Sequence, residues 1–176
     1  MTTQKRTVPC WDEYFMKIAE TAKTKSKDRS TQVAAVIVGE GHIPLSVGYN
    51  GFPRDVNDDV DVRHERPLKY LFTEHAERNA IYAAARHGVR LSGSTIYVTG
   101  GGTPCADCSR AIIQAGIIEV VGMDRKFEGA GALWEESCKI GREMLLEAGV
   151  RIVLLNEKYE VSTPTPPKCE NAPTTN

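Results

Sequence analysis

The chain lacks several things, and each absence narrows its function. Across 176 residues no run approaches the eighteen or so apolar residues that a membrane-spanning helix needs, so none is expected. Charge of one sign is not in excess: the formal net charge is -1, which gives no basic surface for wrapping long nucleic acid. The opening stretch "MTTQKRTVPCWDEYF" has no apolar core of a secretory signal, and a cytoplasmic protein is expected. Cysteines number five, an odd count unsuited to a disulfide framework in a reducing compartment. Two of them form a Cys-x-x-Cys, which directs attention to metal or redox chemistry.

The rest of the chain reads as an α/β domain. Trp11, Tyr14, Phe15, Ile18, Ala19 and Ala22 recur at helical spacing and predict a first amphipathic helix. "QVAAVIVG" and "HIPLSVGYNG", split by the turn-prone "GEG", predict a strand pair. The polar, acidic stretch from Gly51 to Arg66 has no period and predicts a long surface loop. "TEHAERNAIYAAARHG" then predicts a helix ending at Gly88, "STIYVTG" a strand, "CADCSRAIIQAG" a helix, "IIEVVGM" a strand, "ALWEESCKIGREMLLEAG" a helix and "VRIVLL" a last strand. Strands alternating with helices imply a partly parallel sheet. A single domain over residues 1–160 is expected, with 161–176, rich in Pro and Thr, as a disordered tail.

Two short motifs carry chemistry. In "HAERNA" His75 stands at a helix start with Glu77 two residues on, and in "TGGGTPCADC" Cys105 and Cys108 are spaced to share a face in the first turn of the next helix. Backbone N–H groups at a helix start favour thiolates. One imidazole and two thiolates make a three-ligand zinc set that leaves a fourth position for water, the catalytic arrangement. Glu77, beside that position, is placed to move protons.

His-x-Glu followed by Pro-Cys-x-x-Cys is the signature of zinc-dependent nucleobase deaminases. The resemblance is wider than that pair. "DRSTQVAAVIV", "GYNGFPR", "HAERNAI", "IYVT", "PCADC" and "AIIQAGI", in that order between residues 28 and 118, resemble the deoxycytidylate (dCMP) deaminases. The resemblance implies a three-layer αβα cytidine deaminase-like fold with a central mixed five-stranded sheet. It implies hydrolysis of dCMP to dUMP and ammonia, with zinc on His75, Cys105 and Cys108 and Glu77 as proton shuttle. Backbone N–H groups near Ala76 and Cys105 would hold the ring edge and the attacking oxygen, and Asn50 the deoxyribose. Arg29 and Arg86 are candidates for the 5′-phosphate, Arg86 alternatively for a subunit interface. A homo-oligomer, dimer or hexamer, is expected, as is regulation by dCTP as activator and dTTP as inhibitor, with magnesium on the regulatory nucleotide, near "GYNGFPR" and the acidic loop. Two departures stand out. "GGGT" lengthens the approach to Pro-Cys by one or two residues and should reshape the loop beside the base, and Gly122 or Met123 replaces a family Tyr, a role open to Phe127.

Plainer readings stand beside these. Cys138 reads as a core or surface thiol of an amphipathic helix, and Cys10 and Cys169 as chemically silent. His42 and His64 read as solvated loop residues, and "DVNDDVD" as a solvated acidic loop. Asn50 before Gly51 also suits a plain turn. Other substrates (modified dCMP, dCTP, tRNA adenosine) and a non-catalytic zinc module remain as alternative functions.

Overall fold

The computed structural model of the chain describes residues 7–125 and 131–162. Strands β1 (Ala34–Gly39), β2 (Ile43–Tyr49), β3 (Thr95–Gly101), β4 (Glu119–Met123) and β5 (Arg151–Leu155) form one sheet in the order β2-β1-β3-β4-β5. β1 runs antiparallel to both β2 and β3, while β3, β4 and β5 are parallel, so the sheet is mixed. Helices α1 (Trp11–Lys23), α2 (Lys69–Phe72), α3 (Ala76–Arg86), α4 (Ala106–Gln114) and α5 (Ala132–Glu147) complete the fold.

Period-two alternation divides the strand residues between two cores. Val36, Val38, Tyr97, Val121 and Leu155 face Phe15, Met16 and Ala19 of α1 on one side of the sheet. Ala35, Ile37, Ile96, Val98, Val120 and Ile152 face Ala76, Ala80 and Ala84 of α3, Ile112 of α4 and Leu145 of α5 on the other. The helices are thus in two layers around a central sheet. Gly88, Gly116 and Gly149 follow α3, α4 and α5 at positive φ (67°, 73° and 74°), where glycine ends a helix without the steric cost of a Cβ.

Two local features shape the site. The first is how tightly α3 lies on the edge strand. A Cβ on Gly48 of β2 would come within 2.3 Å of the Ala80 nitrogen and 2.4 Å of the Ala76 oxygen, so backbone meets backbone there. The second is a bulge at the end of β3. Val98 pairs with Gly122, but Gly101 pairs with Met123, so Thr99 and Gly100 are two extra residues on β3. The bulge ends within the "GGGT" stretch. Thr99 turns its hydroxyl to the Ala34 N–H (2.9 Å), and the Arg125 guanidinium donates to its carbonyl.

The acidic stretch after Gly51 is more structured than its lack of period suggested. It contains a 3-10 turn at Asp61–His64 and then α2. Phe52 stacks on His64 (centroids 4.8 Å apart) and meets Phe72 (5.5 Å), and the Arg63 guanidinium lies 4.7 Å from the Phe72 ring centroid. These residues are spread too unevenly along the chain to give a periodic signal.

Replacing Gly48 with Ala forces α3 off the sheet. The expected cost is about 1–3 kcal/mol of stability, read as a lower denaturation midpoint at unchanged m-value, together with a loss of bound metal; unchanged stability would refute the close packing.

Candidate metal and proton-transfer site

His75 and Cys105 occupy equivalent positions. Each is the residue before its helix, in extended backbone (φ -78°, ψ 153° and φ -64°, ψ 167°), and each carbonyl accepts the first helical hydrogen bond, from Asn79 and Ser109 respectively (both 2.9 Å). Cys105 therefore precedes the first turn of α4 instead of lying within it, and Cys108 alone is inside. Two helix starts meet here, each with unpaired backbone N–H groups and partial positive charge.

His75 turns its Nδ1 to both sulfurs, 3.5 Å from Cys105 Sγ and 3.4 Å from Cys108 Sγ. The three donor atoms all lie within 4.8 Å of one another, and no other three His, Cys, Asp or Glu ligands converge this way among the described residues. A tetrahedral ion bonded at about 2.0 Å to nitrogen and 2.3 Å to sulfur spaces those donors about 3.5 Å apart. The donor set and its spacing fit zinc.

The electrostatics agree with a cation site. A hydrogen bond from Cys108 and one with His75 draw the Cys105 thiol down to about 4 against the opposing effect of burial. Cys108 is pushed up, first by its bond to Cys105 and then by burial. The bond with Cys105 also raises His75 above the ordinary imidazole value. Three groups thus compete for protons around one point. Glu77, only 7% exposed in the first turn of α3, has its carboxyl raised by burial, partly offset by His75 beside it.

The surroundings hold these groups still. Glu74 Oε1 accepts the His75 N–H (2.9 Å) and the Arg78 Nε–H (2.6 Å), tying the residue before α3 to its first turn. Gly51 and Glu74 exchange backbone hydrogen bonds of 3.1 and 2.8 Å, which fastens the end of β2 beside His75. Asn50 lies just before this bridge and is 7% exposed. Its Oδ1 accepts from Ser26 Oγ and the Val33 N–H (2.8 Å each), and its Nδ2 donates to the Thr31 carbonyl (2.8 Å) and to Asp28 Oδ2 (3.4 Å). The Asn50 side chain is thus a brace for the 26–33 loop. Asp28 in turn pairs with Lys69 at 2.9 Å, both almost fully buried. Burial pushes the Asp28 carboxyl up, but bonds from Lys69, Ser30 and Thr31 outweigh it and hold Asp28 below the usual carboxylate range.

The other candidates are placed differently. Ala76 is fully buried at the first helical position, its backbone beside the donor cluster. Arg29 is exposed and pairs with Asp61 at 2.6 Å. Arg86 is exposed at the far end of α3, roughly 16 Å from His75 at 1.5 Å per residue, out of reach of this site within one chain. Asp58 pairs with Lys27 at 2.8 Å, so two carboxylates of the acidic loop are committed to ion pairs. Phe127 and Cys169 lie outside the described residues.

Helix α5 supplies what sequence reasoning missed. The Trp134 ring lies 5.5 Å from that of His75, and Ser137 Oγ accepts the Ala106 N–H at the start of α4 (3.1 Å). Burial pushes the Cys138 thiol up to about 12, with Cys105 and Glu77 near enough to add to the shift. The spacing Trp134, Ser137, Cys138 marks one helical face, a signal hidden within an amphipathic pattern that reads as core packing.

These features define a metal-dependent hydrolytic site on an αβα fold, and the comparisons agree. Residues 9–123 match the family described as "Cytidine and deoxycytidylate deaminase zinc-binding region". An uncharacterized deaminase of the luxG 3′ region in Aliivibrio fischeri is 41% identical over 82% of this chain and 93% of its own. The deoxycytidylate deaminase of Mus musculus is 34% identical over 85% of this chain and 82% of its own. The crystal structure of the dCMP deaminase of cyanophage S-TIM5 in complex with dCMP and dUMP superposes with a TM-score of 0.64 at 26% identity, covering 86% of this chain and 99% of that one. The chain belongs to the cytidine and deoxycytidylate deaminase family.

Purified protein should carry one zinc per chain by elemental analysis. Cys108→Ser should lose it while far-UV circular dichroism shows the α/β signature retained; full zinc in that variant would contradict the ligand set.

Proposed function

We propose that the chain is a dCMP deaminase, hydrolysing dCMP to dUMP and ammonia. The observation that carries this reading is the convergence of His75 Nδ1, Cys105 Sγ and Cys108 Sγ with the buried Glu77 beside them. Similarity to deoxycytidylate deaminases at 34% identity and to a dCMP deaminase crystallised with dCMP and dUMP supports the choice of nucleotide.

His75, Cys105 and Cys108 would hold zinc, which when bound would lower the pKa of a water at its open position to about 7. Glu77 takes up the proton released as water adds to ring carbon 4. It returns that proton to ring nitrogen 3, then takes a second from the hydroxyl now on carbon 4 and delivers it to the amine, which leaves as ammonia while carbon 4 becomes a carbonyl. Burial raises the Glu77 carboxyl above its ordinary value, the direction that suits a group which must both accept and donate a proton. The backbone N–H groups of Ala76 and Cys105 polarise the ring edge and the attacking oxygen. Asn50 meets the deoxyribose by exchanging its bond with the Ser26 hydroxyl.

Regulation by nucleotides is assigned to a neighbouring cavity of about 410 Å³ beside the Gly51–Glu74 bridge. Its lining includes Lys25, Asn50, Phe52, Arg54 and His64, but none of the metal donors. Lys25 and Arg54 have no carboxylate partner among the described residues, which suits a triphosphate such as dCTP or dTTP entering with magnesium. Arg86 serves a neighbouring copy in a homo-oligomer: it shares an exposed face of α3 with Tyr82, 51% exposed, beside the edge strand β2, where Ile43 is 59% exposed. Thiol ligands of this kind suit the reducing cytoplasm.

The test is ammonia release from dCMP, CMP, deoxycytidine, dCTP and 5-methyl-dCMP, with and without dCTP and magnesium. dCMP should dominate, and Glu77→Gln should lower kcat by about 10²–10⁴-fold at full zinc. Turnover of another substrate in place of dCMP would overturn the substrate assignment, and full turnover by Glu77→Gln the proton shuttle.

A further inference from the structure

The two helices that carry the metal donors begin in the same way. The residue before a helix ordinarily turns a side-chain oxygen onto the backbone N–H groups of the first turn. Here those residues are His75 and Cys105, and neither side chain caps its own helix. Both turn instead to the donor cluster, His75 Nδ1 lying 3.5 Å from Cys105 Sγ. The N–H groups at the two helix starts are served from other positions. At α3 the partner is local, Glu74 Oε1 accepting the His75 N–H at 2.9 Å. At α4 it comes from another helix: Ser137 Oγ of α5 accepts the Ala106 N–H at 3.1 Å.

α5 is pressed onto the same stretch of chain at a second point. Gly141 lies four residues after Ser137, on the same helical face. A Cβ at Gly141 would come within 2.5 Å of the Pro104 carbonyl oxygen, 2.7 Å of Ser109 Oγ and 3.0 Å of the Cys105 carbonyl carbon. The fully buried Ser109 donates its hydroxyl to that Pro104 carbonyl at 3.3 Å. Pro104 before Cys105 and Ala106 after it are therefore both held by α5. A cysteine reaches its sulfur through a single rotatable angle, with three staggered choices, so the direction of the sulfur follows the backbone that carries it.

We propose that Ser137 is a positioning residue of the metal site: by capping α4 from α5 it fixes the backbone at Cys105 and so the aim of the Cys105 sulfur. The proposal rests on the zinc deaminase reading above. Groups that orient a metal ligand from behind commonly carry about 10–100-fold of metal affinity or activity.

The test compares wild type, Ser137→Ala and Ser94→Ala, each loaded with zinc, by the rate at which an excess of a chromogenic chelator takes the metal. Ser137→Ala should release zinc about 10–100-fold faster than wild type. Ser94→Ala removes a serine-to-backbone hydrogen bond, 2.6 Å to the Leu91 carbonyl, at the opposite end of β3 from Cys105, and should release zinc at the wild-type rate. With Co²⁺ in place of zinc, the sulfur-to-metal absorption band of Ser137→Ala should shift or weaken at full occupancy, which a loss of stability alone would not produce. An unchanged release rate in Ser137→Ala overturns the proposal, as does a wild-type Co²⁺ spectrum in that variant. Equal acceleration in Ser94→Ala overturns it too, since that is the mark of general loosening. None of these readings needs turnover: a chain that meets them all yet releases no ammonia from dCMP overturns the deaminase reading and leaves the place of Ser137 at the metal standing.

Discussion

The site depends on two helix starts being brought nose to nose above the sheet. Each start carries roughly half a positive charge, and two such ends would repel unless anionic groups lay between them. The Cys105 thiol, drawn toward the thiolate, is such a group, and His75 and Cys108 complete a donor set spaced for a cation. The arrangement is possible because Gly48 lets α3 rest with its backbone against β2, and Gly141 lets α5 rest against the start of α4. Two missing side chains thereby set the distance between imidazole and thiolates.

Around this junction the protein spends its buried polar groups on rigidity. The Asp28–Lys69 pair and the Asn50 amide form a closed network that holds the 26–33 loop to the end of β2. A buried ion pair adds little net stability, but losing one partner leaves an uncompensated charge, commonly worth about 3–5 kcal/mol. The folded-state value of Asp28 is depressed, so its contribution is present above the usual carboxylate range near 4 and is lost as pH falls through the lower folded value. The wall beside the site is therefore firm at neutral pH.

Much of this was legible in the residues themselves. His75, Glu77, Cys105 and Cys108 stand in two short motifs, each at a helix boundary that local patterning also marks, and the strand runs around Ile37, Ile96 and Val120 show their burial directly. Residues joined only by tertiary packing were not legible. Trp134 and Ser137 look like members of an ordinary amphipathic helix, and their contacts with the site appear only once α5 is laid on α4. Asn50, in a motif that suggests a ligand contact, has its amide engaged by Ser26, Val33, Thr31 and Asp28, none of which is its immediate neighbour. Arg86 follows the same motif-bearing helix, yet helical rise carries it to the opposite end of α3 from the donors.

In the proposed site one nitrogen and two sulfurs hold the metal and leave a position for water. X-ray absorption at the zinc edge of the purified protein measures this directly. The expected result is one nitrogen at about 2.0 Å, two sulfurs at about 2.3 Å and one further light-atom ligand. Three or four sulfurs in the first coordination sphere, drawing in Cys138 or another thiol, would make the site structural and contradict it.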